Sequence, residues 1–177
     1  AFAGFTAPKI LWMKEEEPEN FARTKMIMLP KDYIAFKLSG VYSTDVSDAS
    51  GMLIFDVKNK CWSKEMLDIC GITEAQVPKI FESYEVVGTI LPEVAKELGF
   101  PETVKIVAGA GDNAAAAVGT GTVGDGRCNI SLGTSGTIFI SSKSFGVDEH
   151  NALHSFAHAD GHYHLMGCML SAASCNK

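Results

Sequence analysis

The chain has 177 residues, 46% of them apolar, and carries 21 acidic against 15 basic side chains for a formal charge of −6. That length can bury one core or two small ones, and the acidic balance speaks against a nucleic-acid-binding surface. No apolar run is long enough to span a bilayer and no secretory signal opens the sequence. Five cysteines in separate apolar contexts, without C-x-x-C spacing, predict reduced, largely buried thiols in a cytoplasmic protein.

In chain order, Thr6 is placed to cap a helix over 7–17 that Pro18 closes, with Ile10, Leu11 and the stem of Lys14 facing the body. A short helix over 19–23 leads to 26–29, an apolar run that reads as strand or extended core segment. Pro30 starts a helix over 31–38, stopped by Gly40, which packs through Tyr33, Ile34, Phe36, Lys37 and Leu38. Segment 43–51 reads as a loop whose Asp and Ser side chains bond their own backbone. The three-residue spacing of Asp45 and Asp48 also fits a metal pair, but it is too common in loops to outweigh a structural role. A strand is predicted over 52–57 and a helix over 63–70 closed by Gly71. Thr73-Glu74-Ala75-Gln76 has the pattern of a capping box. Residues 85–91 read as extended, and Pro92 opens a helix ending at Gly99. The stretch 99–103, with Pro101, is the expected domain boundary.

The stretch 104–136 organises the chain. Its first part, 104–108, is apolar and β-branched, as expected of a buried strand. Gly109 and Gly111 follow, then Asp112 in the position of an N-cap before Asn113 and four alanines. Helix N–H groups and the positive end of the helix dipole would hold a carboxylate there in its ionised form. A plain cap accounts for Asp112, and so does a catalytic carboxylate. A third reading, a dinucleotide turn, fits the loose pattern of Gly109 to Ala114. That reading would set Asp112 beside a pyrophosphate, and the next strand, near 128–132, ends in Gly-Thr-Ser instead of a ribose-binding acid. Residues 131–137 form a tight hairpin whose turn carries Gly133, Thr134 and Ser135; it is either an ordinary turn or an anion-binding concavity of N–H groups and hydroxyls. Together the two turns suggest a carboxylate facing a phosphate cradle, the arrangement phosphoryl transfer requires.

Beyond the hairpin, His154, His158, His162 and His164 invite a metal reading. Their spacing does not fit one helix face, and Asp160-Gly161 is a turn signal that splits them, so no metal site is predicted. Residues 163–166 read as a strand, followed by a helix beginning in the LSAAS segment.

The runs GAGDNAAAAVG and SLGTSG, with TDVSDASG upstream and GFTAPKILWMKEE near the start, resemble the FGGY carbohydrate kinases over nearly the whole chain and in the family's order. Within the family the likeness is strongest to kinases of D-xylulose. The resemblance implies an α/β protein of the ribonuclease-H-like, actin-like ATPase fold, incomplete here. Residues 1–103 would end a first, sugar-binding domain and 104–177 would begin a second, nucleotide-binding one. It implies Asp112 as general base, Asn113, Phe5 and Thr6 as sugar-site residues, and Gly133, Thr134 and Ser135 on the ATP phosphates. Mg²⁺ is expected to accompany ATP. The implied partners are a pentulose and ATP, with a homodimer as the oligomeric expectation and neither nucleic acid nor membrane. A phosphate loop and an adenosine site are missing from the sequence, so the chain alone is expected to be inactive. Another polyol, such as ribulose, glycerol or gluconate, and a non-catalytic sugar- or anion-binding module are the alternatives.

Overall fold

The computed structural model describes residues 3–173. Helix α1 (Thr6–Glu16) buries Ala7 and Ile10, and α2 (Pro18–Arg23) follows at once, because Pro18 fits the first position of a helix as well as it ends the previous one. Phe5, not Thr6, is the N-cap of α1; Thr6 is already helical and gives no cap hydrogen bond. Residues 26–29 are extended without joining a sheet.

Helix α3 (Pro30–Ser39) departs from its predicted face. Asp32, Ala35 and Ser39 are buried, while Tyr33 and Ile34 are more than half exposed. The polar side wins because Asp32 finds a cation in Lys31 and a backbone N–H at Leu29, so its burial is compensated. Phe36 stacks on Tyr42 at 4.4 Å instead of entering the core.

The expected loop over 43–51 is a buried ordered segment: β1 (Ser43–Asp45), α4 (Val46–Ala49) and a single 3-10 turn, Ser50–Met52. Asp45 does bond its own backbone, accepting from the Ser47 N–H as the cap of α4. The strand predicted over 52–57 shrinks to β2 (Phe55–Asp56), paired with β3 (Cys61–Trp62), because Leu53 adopts a left-handed conformation that interrupts it.

Helix α5 (Lys64–Cys70), capped by Ser63 and closed by Gly71, and the capping box of Thr73 and Gln76 are as the sequence predicts. Strand β4 (Lys79–Phe81) runs parallel to β1. Strand β5 (Val86–Thr89), α6 (Pro92–Leu98) and β6 (Lys105–Val107) follow, with β5 and β6 antiparallel. Strand β6 is not the buried strand expected. It lies in a two-stranded sheet with Lys105 and Val107 facing solvent.

Helix α7 (Asp112–Gly119) leads to a four-stranded antiparallel sheet of order β7-β8-β10-β9, formed by β7 (Cys128–Leu132), β8 (Gly136–Ser142), β9 (His154–Ala157) and β10 (Tyr163–Met169). The turn at Asp160-Gly161 separates the last two strands, as its composition predicts. The expected LSAAS helix falls largely outside the described residues.

One apolar cluster joins the beginning and end of the chain. Ile10, Val46, Met52, Ile54, Trp62 and Leu67 pack with Ala157 of β9. Polar ties reinforce the junction: the Ala157 N–H donates to Ser50 Oγ at 3.0 Å, and Lys60 Nζ bridges Glu82 and the Gly161 carbonyl at 2.6 and 2.8 Å. Of the described cysteines only Cys70 is buried; Cys61, Cys128 and Cys168 are exposed, correcting the expectation of buried thiols. All four are free thiols. Among the described residues no helix is long and apolar enough to cross a membrane.

Candidate functional site

Strand β6 delivers the chain to a turn in which Gly109 has φ +78°, a conformation costly for any residue with a Cβ. Gly111 is needed for a different reason. A Cβ there would lie 3.4 Å from Asp48 Oδ1 and 3.5 Å from Asp48 Cα, so only glycine lets the turn sit directly on α4.

Gly111 is also the N-cap of α7, and Asp112 is its first helical residue. The predicted cap is therefore displaced by one position. The Asp112 carboxylate accepts from the Asn113 N–H at 2.7 Å and from Asn113 Nδ2 at 3.0 Å, both through Oδ1, and is exposed. Asn113 Oδ1 in turn accepts from Thr137 Oγ1 at 3.2 Å. That bond ties the start of α7 to the strand leaving the 133–135 hairpin.

These residues form one wall of a cleft of about 250 Å³. Ser47 and Asp48 of α4 form a second wall, Phe5 stands at the rim, and one face of the large sheet makes the floor. The register explains the floor: His154 pairs with Met166 and Phe156 with His164, so all four side chains share a face, with Cys168 two residues on. Phe5 meets His154 edge-on at 5.6 Å. Thr6, by contrast, opens onto a separate pocket lined by Lys9, Met13 and Phe21.

Sequence reasoning missed Asp48, His154 and His164 as cleft residues. The alternation along β9 and β10 was the available signal, once the turn between them was placed. Burial, with the neighbouring His158 charge adding to it, pushes the His164 imidazole down to about 3, and Asp160 offsets this only in part. His164 is thus a neutral floor residue at neutral pH, stacked on Phe139 with ring centroids 3.9 Å apart.

Asp48 is the titrating wall. Burial raises its pKa to about 6; Lys31 opposes the shift, and Asp45, Asp32 and Asp112 add to it. The folded chain therefore holds this proton more tightly than the unfolded chain, so stability is greatest below pH 4 and is lost as pH rises through 6. Asp48→Asn removes the loss. It is expected to stabilise the chain by about 1–2 kcal/mol at pH 8, after discounting for partial solvent screening, and by nothing at pH 4. Urea unfolding at the two pH values measures the difference, and an equal effect at both would contradict it.

The hairpin turn at the other end of β8 is exposed. The Gly133 N–H donates to the Ser135 carbonyl at 2.8 Å, Ser135 Oγ donates to the Leu170 carbonyl at 3.3 Å, and the carbonyls of Gly133 and Thr134 accept from Ala173 and Ala172. The turn is held against the 170–173 segment, and the Ser135 hydroxyl keeps lone pairs for a further donor. Among the described residues no three His, Cys, Asp or Glu side chains come together as a metal site. His154 and His164 share the floor, whereas His158 contacts the Thr122 carbonyl and His162 turns to Asp160.

A strand-turn-helix that presents an exposed carboxylate, tied to a glycine-hydroxyl hairpin, defines a mixed α/β protein with a polyol-sized polar cleft. Residues 1–119 match the FGGY family of carbohydrate kinases, N-terminal domain, and the chain belongs to that family. It is 47% identical over 173 residues to a xylulose kinase of Escherichia coli (strain K12), an alignment covering 97% of this chain and 36% of that protein. Among solved structures, one described as a xyloylose kinase from Brucella ovis superposes with a TM-score of 0.94 at 42% identity, covering 98% of this chain and 36% of the other. A gluconate kinase from Lactobacillus acidophilus superposes with a TM-score of 0.91 at 30% identity, covering 97% and 35%. The fold is therefore that of the FGGY kinases, the actin-like ATPase fold. The chain spans about a third of the length of the relatives it matches.

Proposed function

We propose that the protein carrying this chain transfers the γ-phosphate of ATP to a hydroxyl of a pentulose, converting D-xylulose to D-xylulose 5-phosphate. In this reading Asp112 accepts the hydroxyl proton as that oxygen forms its bond to phosphorus and the bond to ADP breaks. Asn113 hydrogen-bonds the sugar and Phe5 closes its apolar side, while Thr6 stands outside the sugar site. Gly133, Thr134 and Ser135 receive the phosphate, and Mg²⁺ arrives with the nucleotide.

The observation that carries this reading is the Asp112 carboxylate, exposed on the cleft and linked through Asn113 and Thr137 to the strand that leaves the glycine-hydroxyl turn. A loose phosphoryl-transfer transition state asks mainly for position and charge stabilisation, which a carboxylate on a rigid helix start supplies. The xylulose kinase relatives favour D-xylulose, while the gluconate kinase neighbour keeps other polyols in the test.

The test is ADP release by the intact gene product with D-xylulose, L-ribulose, glycerol and gluconate in parallel, with the 177-residue chain alone as a second sample. Turnover with D-xylulose by the intact product and none by the chain alone is the expected result. Turnover with another polyol would replace the substrate, and none with any of them would favour a sugar- or anion-binding module.

A further inference from the structure

We propose that Lys31 and Ser47 are positioning residues for the Asp112 turn: a buried ionic centre on α3, β1 and α4 holds the backbone of 108–111, and through it the cleft carboxylate. The inference rests on the reading of Asp112 as the base. Lys31 Nζ lies 2.8 Å from Asp32 Oδ1 and 3.1 Å from Asp45 Oδ1, and it donates to the Ala108 carbonyl at 2.9 Å, 77 residues further along the chain. Asp45 is fully buried, and its other oxygen accepts from the Ser47 N–H at 2.9 Å, from Ser47 Oγ at 2.5 Å and from Ser83 Oγ at 2.7 Å. With its proton committed to Asp45, Ser47 Oγ is left as an acceptor, and the Gly111 N–H donates to it at 3.0 Å. The Gly109 N–H donates to the Ser83 carbonyl at 3.0 Å.

Three consecutive anchors thus reach the turn from one centre: Lys31 on Ala108, Ser83 on Gly109 and Ser47 on Gly111. Burial works to lower the Lys31 pKa, but the Asp45 and Asp32 carboxylates outweigh it and hold the ammonium above its ordinary value. A buried ion pair of this kind contributes little net stability compared with apolar packing. What it supplies is direction: the donors and acceptors can all be satisfied only with the turn in one position, and Gly111 packed against Asp48 leaves it no room to slide. Asp112 is the next residue.

The test uses the intact gene product with Ser47→Ala, which removes one anchor and no charge, and with the paired Lys31→Met/Asp45→Asn change, which removes both charges together. Hydrogen exchange at the Gly111 amide is expected to quicken at least tenfold in Ser47→Ala while global stability is held. With D-xylulose, kcat should fall about tenfold to a hundredfold and KM for ATP should stay within about twofold. In an Asp112→Asn background the same changes should cost little more, because a displaced base that is already absent cannot be lost twice. Losses that multiply in that background, or Gly111 exchange that only follows global stability, would overturn the positioning role. If Asp112→Asn alone keeps full activity while Gly111 exchange quickens as expected, the anchoring stands as structure and the base assignment is what fails, taking the positioning role with it.

Discussion

Asp112→Asn in the intact gene product is expected to slow phosphoryl transfer from ATP to D-xylulose by roughly 10²- to 10⁴-fold, the range for removing a positioned general base. The substitution is close to isosteric where it matters structurally. Oδ1 accepts the Asn113 N–H and the Asn113 side-chain amide, and an asparagine oxygen can accept both. Oδ2 has no protein partner, and it is this atom that becomes an amide unable to take a proton. Because the helix start is preserved, the melting temperature should move by no more than a degree or two, so a fall in rate reports chemistry and not folding. Single-turnover ADP formation is the appropriate measurement, since it excludes product release. A loss smaller than about tenfold would leave Asp112 as the first residue of a helix and nothing more.

Local chemistry made several elements legible before any coordinates. Ser63 and Gly71 bracket α5, Pro92 and Gly99 bracket α6, and Asp160-Gly161 turns β9 into β10, because each of these signals acts within a few residues of itself. The failures share a cause. Segment 43–51 looks like a solvated loop because it is polar, yet its carboxylate is satisfied by Lys31, Ser47 and Ser83, and two of those partners lie 14 and 38 residues away. The same centre explains why α3 turns Asp32 inward and leaves Tyr33 and Ile34 outside. Of the candidate site, Asp112, Asn113 and the hairpin turn could be read from glycine spacing. Asp48, His154 and His164 could not, because they reach the cleft through helix packing and strand register.

Phe139→Ala is expected to destabilise the chain by about 3–5 kcal/mol at pH 7, the usual cost of truncating a fully buried aromatic. Phe139 is 1% exposed at the middle of β8, opposite Asn129 of β7 and Met166 of β10. It is the surface on which the cleft floor rests: stacked on His164, it also meets His158 edge-on at 5.0 Å. Removing the ring opens a cavity beside two imidazoles, and water that enters it would relieve the desolvation holding His164 down at about 3. The sign of the pH effect follows. In the unaltered chain the unfolded state takes up a proton first, so the stability contributed by neutral His164 is present above pH 6.5 and is lost as pH falls towards 3. A hydrated His164 in the variant protonates closer to its unfolded value and loses less over the same window. The gap between the two proteins should therefore narrow from pH 7 to pH 4 in urea unfolding. A gap that stayed constant would mean that His164 remains dry without Phe139, and a gap below about 1 kcal/mol at pH 7 would mean that the floor does not depend on that ring.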